Sequence, residues 1–354
     1  MWALTNNTPF KAERTWVRDK NGAEVWLVAV KGAFSIAPDG SIQLAEEQEE
    51  VNIAPKFRGD PQSASLLYDT DLPHTKKNTD ILIEGHAYAP HGQPVTKVDV
   101  TLKVADIKKT LRVIGDRMWQ KSLLGVSLSR PQPFVKIPLT YERAFGGTDQ
   151  TSKNPKHHGW EPRNPVGRGF ATKADHLIGK PAPNIEDTSS LIGNWKLKSY
   201  PAGFGPIAGN WSPRVELAGT YDKNWEKTRQ PLLAEDFNES YYQCAPKDQQ
   251  AKGYLKGEEL FELYNMTPAG VLKFRLPRIS IGFTTHFDDN TTEEHRAVLH
   301  TVIVKPDLPK VVMVWHTNLE CHHKVLKLLN TTIRVKRRIL QSEEEKPSNA
   351  WQLV

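Results

Sequence analysis

The residues that could do chemistry are densest between positions 154 and 170, where the sequence is NPKHHGWEPRNPVGRGF. Two glycines, Gly167 and Gly169, flank an arginine as in some phosphate-binding loops. However, neither the G-x-x-x-x-G-K-S/T spacing nor the G-x-G-x-x-G spacing is present, and no strand-to-helix transition surrounds the segment. We therefore expect these glycines to allow backbone angles that other residues cannot adopt.

Histidines provide the next candidates, as metal ligands. His157 and His158 are adjacent, so their side chains diverge in an extended chain, and no nearby cysteine or carboxylate completes a tetrahedral set. The segment HTNLECHHK (316–324) is richer in ligand types, but the sequence has no C-x-x-C pair that could close a structural zinc site. The sequence therefore predicts neither a metal ion nor a cofactor.

Catalytic motifs are also missing from the sequence. There is no G-x-S-x-G nucleophile elbow, and neither Cys244 nor Cys321 lies in a protease or redox signature. Paired carboxylates could support glycoside hydrolysis, and the available acids lie in YDTDLP (68–73), FDDN (287–290) and EDF (235–237), among them Asp69, Asp71 and Asp288. Acids in turns are more often turn formers. A carbohydrate-binding or glycoside-hydrolysing β-sandwich, with the ten tryptophans as stacking platforms, remains the alternative function.

Charge and composition limit the partners and the compartment. The net charge of +6 would allow an anionic partner, but the basic residues are scattered apart from RVKRR (334–338). Nucleic-acid binders usually concentrate basic residues on one face, so no nucleic-acid partner is predicted. No secretory signal and no apolar run of membrane-spanning length is visible. With only two cysteines, these features predict a cytoplasmic protein without a membrane partner.

The elements that must position any site are strands. EVWLVAV (24–30) is apolar on both faces, which is typical of a strand buried on both sides. Residues 33–44 alternate around an APDG turn and predict a hairpin, and residues 80–104 predict another around APHGQP. VTKVDVTLKV (95–104) alternates strictly, as a half-buried antiparallel strand does. Five further strand-length segments, separated by Pro, Gly, Asp and Asn turns, fill the C-terminal third.

The middle of the chain is different, because thirteen of the 25 prolines lie between Pro131 and Pro246. Few regular ladders or helices can form there, and NWEKTRQPLLAEDF allows one short helix that Pro231 interrupts. The many aromatic residues argue against disorder. We expect a mainly β fold: an antiparallel two-sheet sandwich-like core with a long irregular Pro/Gly/aromatic-rich insertion layer. The predicted organisation is one domain over 1–340 (N-terminal strands 1–130, loop-rich layer 131–260, C-terminal strands 261–340) and a tail, 341–354.

Nine segments between residues 79 and 270, in a fixed order, give the chain a resemblance to a known family, and the resemblance covers nearly the whole chain, from Trp2 to about Ile339. The chain resembles the bacterial type VI secretion effector adaptors, or effector-loading chaperones, encoded beside PAAR-like spike-tip proteins. The segments are TDILIEGHAYAP (79–90), YERAFGGTD (141–149), NPVGRGF (164–170), PAPNIED (181–187), AGFGPIAGNWSPR (202–214), AGTYDKNW (218–225), PLLAEDFN (231–238), APKDQQ (245–250) and NMTPAG (265–270).

The resemblance implies a cytoplasmic, non-enzymatic adaptor that binds an effector toxin or its PAAR-like domain. It also implies that the adaptor helps to load this cargo onto the trimeric VgrG spike. From the residues themselves, Trp160 and Phe170 are expected to anchor the loop, and Arg163 and Arg168 to present donors to a partner. The candidate residues either contact the partner or order the loop layer: Arg143, Phe145, Gly146, Gly147, Trp160, Arg163, Asn164, Arg168, Phe170, Trp211 and Arg214.

Overall fold

The computed structural model describes residues 2–123, 125–196 and 199–336. Within these ranges the chain is mainly β, with short 3-10 turns and one α-helix, α1, at Lys223–Thr228. The helix ends three residues before Pro231, so the prediction of one short, proline-limited helix is confirmed. The predicted tail, 341–354, and the last residues of the basic RVKRR segment lie outside the described residues.

Strands occur along the whole described chain. Those of the N-terminal part are Ala3–Asn6 (β1), Lys11–Arg18 (β2), Glu24–Ile36 (β3), Ile42–Leu44 (β4), Lys56–Phe57 (β5), Leu66–Tyr68 (β6), Asp80–Ile83 (β7), His86–Tyr88 (β8), Lys97–Val104 (β9), Ile107–Ile114 (β10), Trp119–Ser122 (β11) and Gly125–Leu128 (β12). Those of the middle are Lys136–Pro138 (β13), Phe145–Gly146 (β14), Thr148–Asp149 (β15), Gly159–Trp160 (β16), Arg168–Gly169 (β17) and Ile185–Asp187 (β18). Those of the C-terminal part are Leu260–Tyr264 (β19), Val271–Arg275 (β20), Ile281–Phe287 (β21), Thr292–Arg296 (β22), Val298–Lys305 (β23), Lys310–Glu320 (β24) and Leu328–Val335 (β25).

The largest sheet has six strands, in the order β2-β3-β24-β23-β7, with β4 added to the far end of β3. Strand β3 is central, and it is buried on both faces from Val25 to Phe34. This double burial explains why its sequence is apolar without alternation. The predicted hairpin over 33–44 is confirmed, because β3 and β4 are antiparallel with Phe34 opposite Leu44.

A five-stranded antiparallel sheet has the order β18-β10-β9-β19-β20. Alternation along β9 follows the predicted pattern: Val98 and Val100 are buried, whereas Lys97 and Asp99 are exposed. A third sheet, β1-β25-β21-β22, has four strands and places the N-terminal strand β1 parallel to β25. The described chain therefore has three large sheets, one more than the predicted two-sheet core.

One hydrophobic cluster joins the three large sheets. Trp26 and Val28 enter it from the six-stranded sheet, Leu102 from the five-stranded sheet, and Phe283 and Ile333 from the four-stranded sheet. The opposite face of the six-stranded sheet is buried too, in a second cluster that contains Cys244 and Ala245 of the proline-rich middle segment. The middle segment is therefore an ordered layer packed across the β core, as the sequence predicts.

The second predicted hairpin, over residues 80–104, is wrong. Strand β7 lies in the six-stranded sheet, parallel to β23, while β8 pairs with β13 and β9 pairs with β10 and β19. Alternation and turn residues had marked the strands correctly, but they do not determine which strands pair. The partners β23 and β13 are distant in sequence, so local signals could not reveal them.

Two buried histidines stack at a bulge of the six-stranded sheet. The rings of His300 and His316 lie 4.4 Å apart with an interplanar angle of 14°, and Tyr254 stacks on the outer side of His300. Burial lowers the pKa of His316 from 6.5 to about 3. Burial, together with His316, also lowers the pKa of His300 well below 6.5. Both rings are therefore neutral in the folded protein near pH 7.

We expect this pair to make the protein acid-sensitive. Below about pH 6.5 the unfolded state takes up protons that the folded state excludes, so the free energy of unfolding falls as the pH falls. Between pH 7 and pH 5, His316 alone should account for a loss of about 2 kcal/mol. Urea titrations at pH 7 and pH 5 should show that His316→Gln loses less unfolding free energy between these pH values than wild type does. The exposed control His91→Gln should lose as much as wild type. If the unfolding free energy of His316→Gln fell with pH as steeply as that of wild type, the buried histidines would not be the cause of the acid sensitivity.

Candidate docking surface

Two loops of the middle layer cross backbone to backbone, and most of the candidate residues lie at this crossing. Strand β14 pairs in parallel with β17. The N–H of Gly147 donates to the carbonyl of Asn164 at 2.8 Å, and the N–H of Phe170 donates to the carbonyl of Gly146 at 2.9 Å. The N–H of Glu161 donates to the carbonyl of Gly147 at 3.0 Å. We call this crossing of residues 141–149 with 159–170 the loop crossing.

Glycines permit the loops to approach this closely. Gly146 has a φ of 149°, and a Cβ atom there would lie 2.1 Å from the carbonyl oxygen of Asn164. Gly147 has a φ of 102°, and its Cβ would lie 2.5 Å from the carbonyl oxygen of Gly167. Both contacts are with backbone atoms, which cannot move aside as a flexible side chain can. Of the two glycines for which the sequence predicted unusual backbone angles, Gly169 has a φ of 93°, so the prediction is confirmed there. For Gly167 the prediction is wrong, because its φ is not positive; glycine is needed there for space, since a Cβ would lie 2.7 Å from the carbonyl oxygen of Ala144.

Burial divides the eleven candidate residues into two groups. Asn164 is fully buried, and its Nδ2 donates to the carbonyls of Tyr141 and Phe145 at 2.8 and 2.9 Å. It holds the loop crossing together from inside and cannot touch a partner. The buried group is Phe145, Gly146, Gly147, Asn164, Trp211 and Arg214; the half-buried or exposed group is Arg143, Trp160, Arg163, Arg168 and Phe170.

Trp211 and Arg214 anchor a neighbouring loop. The ring of Trp211 packs edge-to-face on Tyr141, with centroids 5.8 Å apart. The guanidinium of Arg214 donates to the carbonyl of Tyr241 at 3.0 Å and pairs with Asp69 at 2.9 Å. These contacts tie the loop layer to the segment between β6 and β7, and they leave Arg214 only 6% exposed.

Two large aromatic side chains of the loop layer are exposed, and a fixed arginine lies between them in the sequence. Trp160 is 61% exposed and Tyr200 is 69% exposed, both unusual for residues of this size. The prediction that Trp160 anchors the loop is therefore wrong, because most of its side chain is in contact with solvent. Arg163 pairs with both carboxylate oxygens of Glu161, at 2.6 and 2.8 Å, and donates to the carbonyl of Ser199 at 3.3 Å. Its guanidinium lies 4.5 Å from the centroid of the Tyr200 ring. We call Trp160, Arg163 and Tyr200 the aromatic face.

Two further arginines converge on one buried amide. Arg143 and Arg168 donate to Oδ1 of Asn184 at 3.1 and 3.4 Å, and Arg143 also pairs with Asp116 at 3.2 Å. Burial, followed by the positive charge of Arg143, lowers the pKa of Arg168. Asn184 and Tyr200 are site residues that the sequence did not single out. Asn184 lies within the PAPNIED segment, whereas no local signal marks the exposure of Tyr200.

The residues considered for metal binding and hydrolysis have other roles in the structure. His157 is exposed, and Nε2 of His158 lies 2.8 Å from the carbonyl oxygen of Ser152. The described residues contain no group of three or more His, Cys, Asp or Glu side chains placed to hold a metal ion.

Of the acids considered for glycoside hydrolysis, two are held in ion pairs and one is exposed in a turn. Asp69 is paired with Arg214, and Asp71 pairs with the buried Lys31 at 3.1 Å. Asp288 lies in the exposed turn between β21 and β22. The first two carboxylates are thus each committed to a buried cation, which removes the support for using them as an acid–base pair.

These features define a mainly β protein whose ordered loop layer carries an exposed, preorganised aromatic face. The chain belongs to the DUF2169 family, described as an uncharacterized protein conserved in bacteria, which matches residues 21–316. Comparisons with curated proteins and with solved structures found no match. Among the residues that the structure describes, no helix is long and apolar enough to cross a membrane.

Proposed function

We propose that this chain is a non-enzymatic adaptor that binds a protein cargo through the aromatic face. The observation that carries the proposal is the exposure of Trp160 and Tyr200, with Tyr200 against an arginine that is already held in place. The resemblance supplies the cargo: a type VI secretion effector or its PAAR-like domain, which the adaptor helps to load onto the VgrG spike in the cytoplasm.

The chemistry of the aromatic face supports protein recognition. Tryptophan, tyrosine and arginine are the residues that most often dominate the binding energy of protein interfaces. Arg163 is fixed by Glu161 and by the carbonyl of Ser199, so little side-chain entropy is lost when a partner docks. The stacked guanidinium also keeps Tyr200 in one orientation.

The loop crossing also supports the proposal, because it holds the strand that carries Trp160 in place. Trp160 lies in β16, which pairs with β15 in the same crossing that Asn164 and the glycines hold together. Binding residues are commonly carried on loops that a rigid scaffold positions. The buried candidates therefore order the surface, and the exposed ones are available to a cargo.

Truncation of the aromatic face is expected to weaken cargo binding without destabilising the protein. Trp160→Ala and Tyr200→Ala should each cost about 2 kcal/mol of binding free energy, roughly a thirtyfold rise in Kd. Their free energies of unfolding should stay within about 0.5 kcal/mol of wild type, since both side chains are exposed. The measurement is isothermal titration calorimetry with the PAAR-like partner that the resemblance implies.

The control is Leu308→Ala in the turn between β23 and β24, because Leu308 is 62% exposed but lies outside the loop layer. Its Kd should match that of wild type. If the wild-type protein forms no complex with this PAAR-like partner at micromolar concentration, the proposed function fails.

A further inference from the structure

The six-stranded sheet ends in a strand whose outer edge is open. Strand β2 runs for eight residues in unbroken register with β3, from Lys11 opposite Lys31 to Arg18 opposite Glu24. Every second residue of such a strand turns its N–H and C=O away from its neighbour. No backbone group in residues 2–123, 125–196 or 199–336 hydrogen-bonds to that side of β2.

The other end of the same sheet is closed. The N–H of Ile83 in β7 donates to the carbonyl of Phe204 at 3.1 Å, and Asp80 forms an antiparallel bridge with Gln250. The outer strands of the other two large sheets, β1, β18, β20 and β22, have three to five residues each. Proteins usually keep open edges short or covered, so the long free edge of β2 is the exception in this fold.

Charges on β2 do not block its edge, because the chain itself neutralises most of them. Nζ of Lys11 pairs with Glu50 at 2.6 Å. Arg14 pairs with Glu13 at 3.3 Å and donates through Nε to the carbonyl of Trp2. Residues 11–18 also contain neither proline nor glycine, and the pairing with β3 has no bulge. The devices that normally protect an edge strand are therefore weak here.

A cleft of about 460 Å³ lies beside the C-terminal end of β2. Its apolar walls come from Val17 at the end of the strand and from Phe57, Leu66, Leu72 and Leu233. This volume is enough for one or two large apolar side chains. A chain that extended along the edge of β2 would reach the cleft at the C-terminal end of the strand, because Val17 and Arg18 belong to both.

Two arginines, Arg18 and Arg214, are among the residues that line the cleft. Arg18 is exposed, and its side chain has no hydrogen bond or ion pair with the part of the chain that the structure describes. Asp69, the one carboxylate among the lining residues, is neutralised by Arg214 at 2.9 Å. An acidic group next to an apolar one would therefore complement this surface.

We propose that the edge of β2 and this cleft bind an extended peptide segment of a partner protein. The segment adds as an extra strand to the sheet, inserts a large apolar side chain between Val17 and Leu72, and places an acidic residue against Arg18. Eight residues of edge have a length of about 27 Å at roughly 3.4 Å per residue. The proposal goes beyond the adaptor function, since an extended peptide needs no contact with the aromatic face.

A random library of displayed peptides of about twelve residues, long enough to cover β2, tests the proposal without knowledge of the partner. Selected peptides should carry a large apolar residue directly beside an acidic one. Their affinity, measured as synthetic peptides by fluorescence polarisation, should fall at least tenfold in Arg18→Glu. The matched control is Arg296→Glu, an exposed arginine at the end of edge strand β22, which should bind as wild type.

Hydrogen exchange distinguishes the addition of a strand to β2 from binding elsewhere on the surface. Bound peptide should slow the exchange of backbone amides within β2 and leave those of β20 and β22 unchanged. The proposal is overturned if no peptides are enriched, if they bind Arg18→Glu as tightly as wild type, or if the protected amides lie elsewhere. Trp160→Ala should bind these peptides normally, so failure here and failure of the adaptor proposal can be told apart.

Discussion

Gly146→Ala is expected to lower the free energy of unfolding by about 4 kcal/mol or more, because the substitution adds both backbone strain and a steric clash. A φ of 149° is costly for any residue with a side chain. In addition, the new Cβ would lie 2.1 Å from the carbonyl oxygen of Asn164, and Asn164 is fixed by two hydrogen bonds of its own. The loops would have to separate, which would expose the buried Asn164 and Phe145. Urea unfolding followed by tryptophan fluorescence measures the loss.

Gly179→Ala is the matched control for this clash. Gly179 also has a positive φ, 81°, but a Cβ atom there has nothing within 4 Å. Gly179→Ala therefore adds backbone strain without a steric clash, and we expect it to lower the free energy of unfolding by about 1 kcal/mol. The difference between the two variants isolates the close approach of the loops. Equal losses would mean that the two loops do not cross as tightly as described.

The strands were predictable because burial leaves a direct mark on their sequences. The run from Val25 to Val30 is apolar throughout because β3 has neighbours on both faces, and Lys97–Val104 alternates because β9 has only one buried face. The short helix before Pro231 was predictable for a similar reason, since proline sets its limit. These signals are local, and each needs only a few residues to be recognised.

Pairing was not predictable from the same signals. Alternation over residues 80–104 predicted a hairpin, yet β7 pairs with β23, more than two hundred positions further along the chain. The division of the core into three large sheets has the same origin, because β1 pairs with β25 at the other end of the described chain. A strand's own sequence specifies which face is buried, but it does not specify its neighbour.

The loop layer was predictable from the sequence only in part. Its glycines and prolines indicated an ordered, irregular segment, and its aromatics indicated burial. The sequence could not separate Trp211, which is buried, from Trp160, which is exposed, because both lie in Pro- and Gly-rich segments without periodicity. It also missed Tyr200, whose place on the aromatic face depends on Arg163, far from it along the chain.

The charged side chains that are buried beneath the loop layer could not be predicted from the sequence either. Lys76 is fully buried, and its Nζ pairs with Asp80 at 2.7 Å and donates to Oγ1 of Thr301 at 3.0 Å. Asp80 in turn accepts from the N–H of Cys244 at 2.8 Å and from Nε2 of Gln243 at 2.7 Å. Since Cys244 and Gln243 belong to the loop layer and Asp80 belongs to β7, this network fastens the layer to the six-stranded sheet.

Lys76→Met is therefore expected to cost about 3–5 kcal/mol of unfolding free energy. Methionine fills much of the same volume, so the loss arises mainly from leaving the carboxylate of Asp80 buried without its cation. The second substitution Asp80→Asn, which keeps an oxygen acceptor for Cys244, should then cost less in the Lys76→Met background than in wild type. The difference should be about 2 kcal/mol, and a double-mutant cycle by urea unfolding at pH 7 measures it.

An ion pair of the same length at the surface provides the control. Nζ of Lys252 lies 2.7 Å from Asp106, but these side chains are 88% and 44% exposed. Water solvates both charges there, so Lys252→Met should change the unfolding free energy by less than about 0.5 kcal/mol. Equal costs for the two methionine variants would mean that Lys76 is solvated. The buried network would then not be what holds the loop layer, and with it the aromatic face, on the sheet.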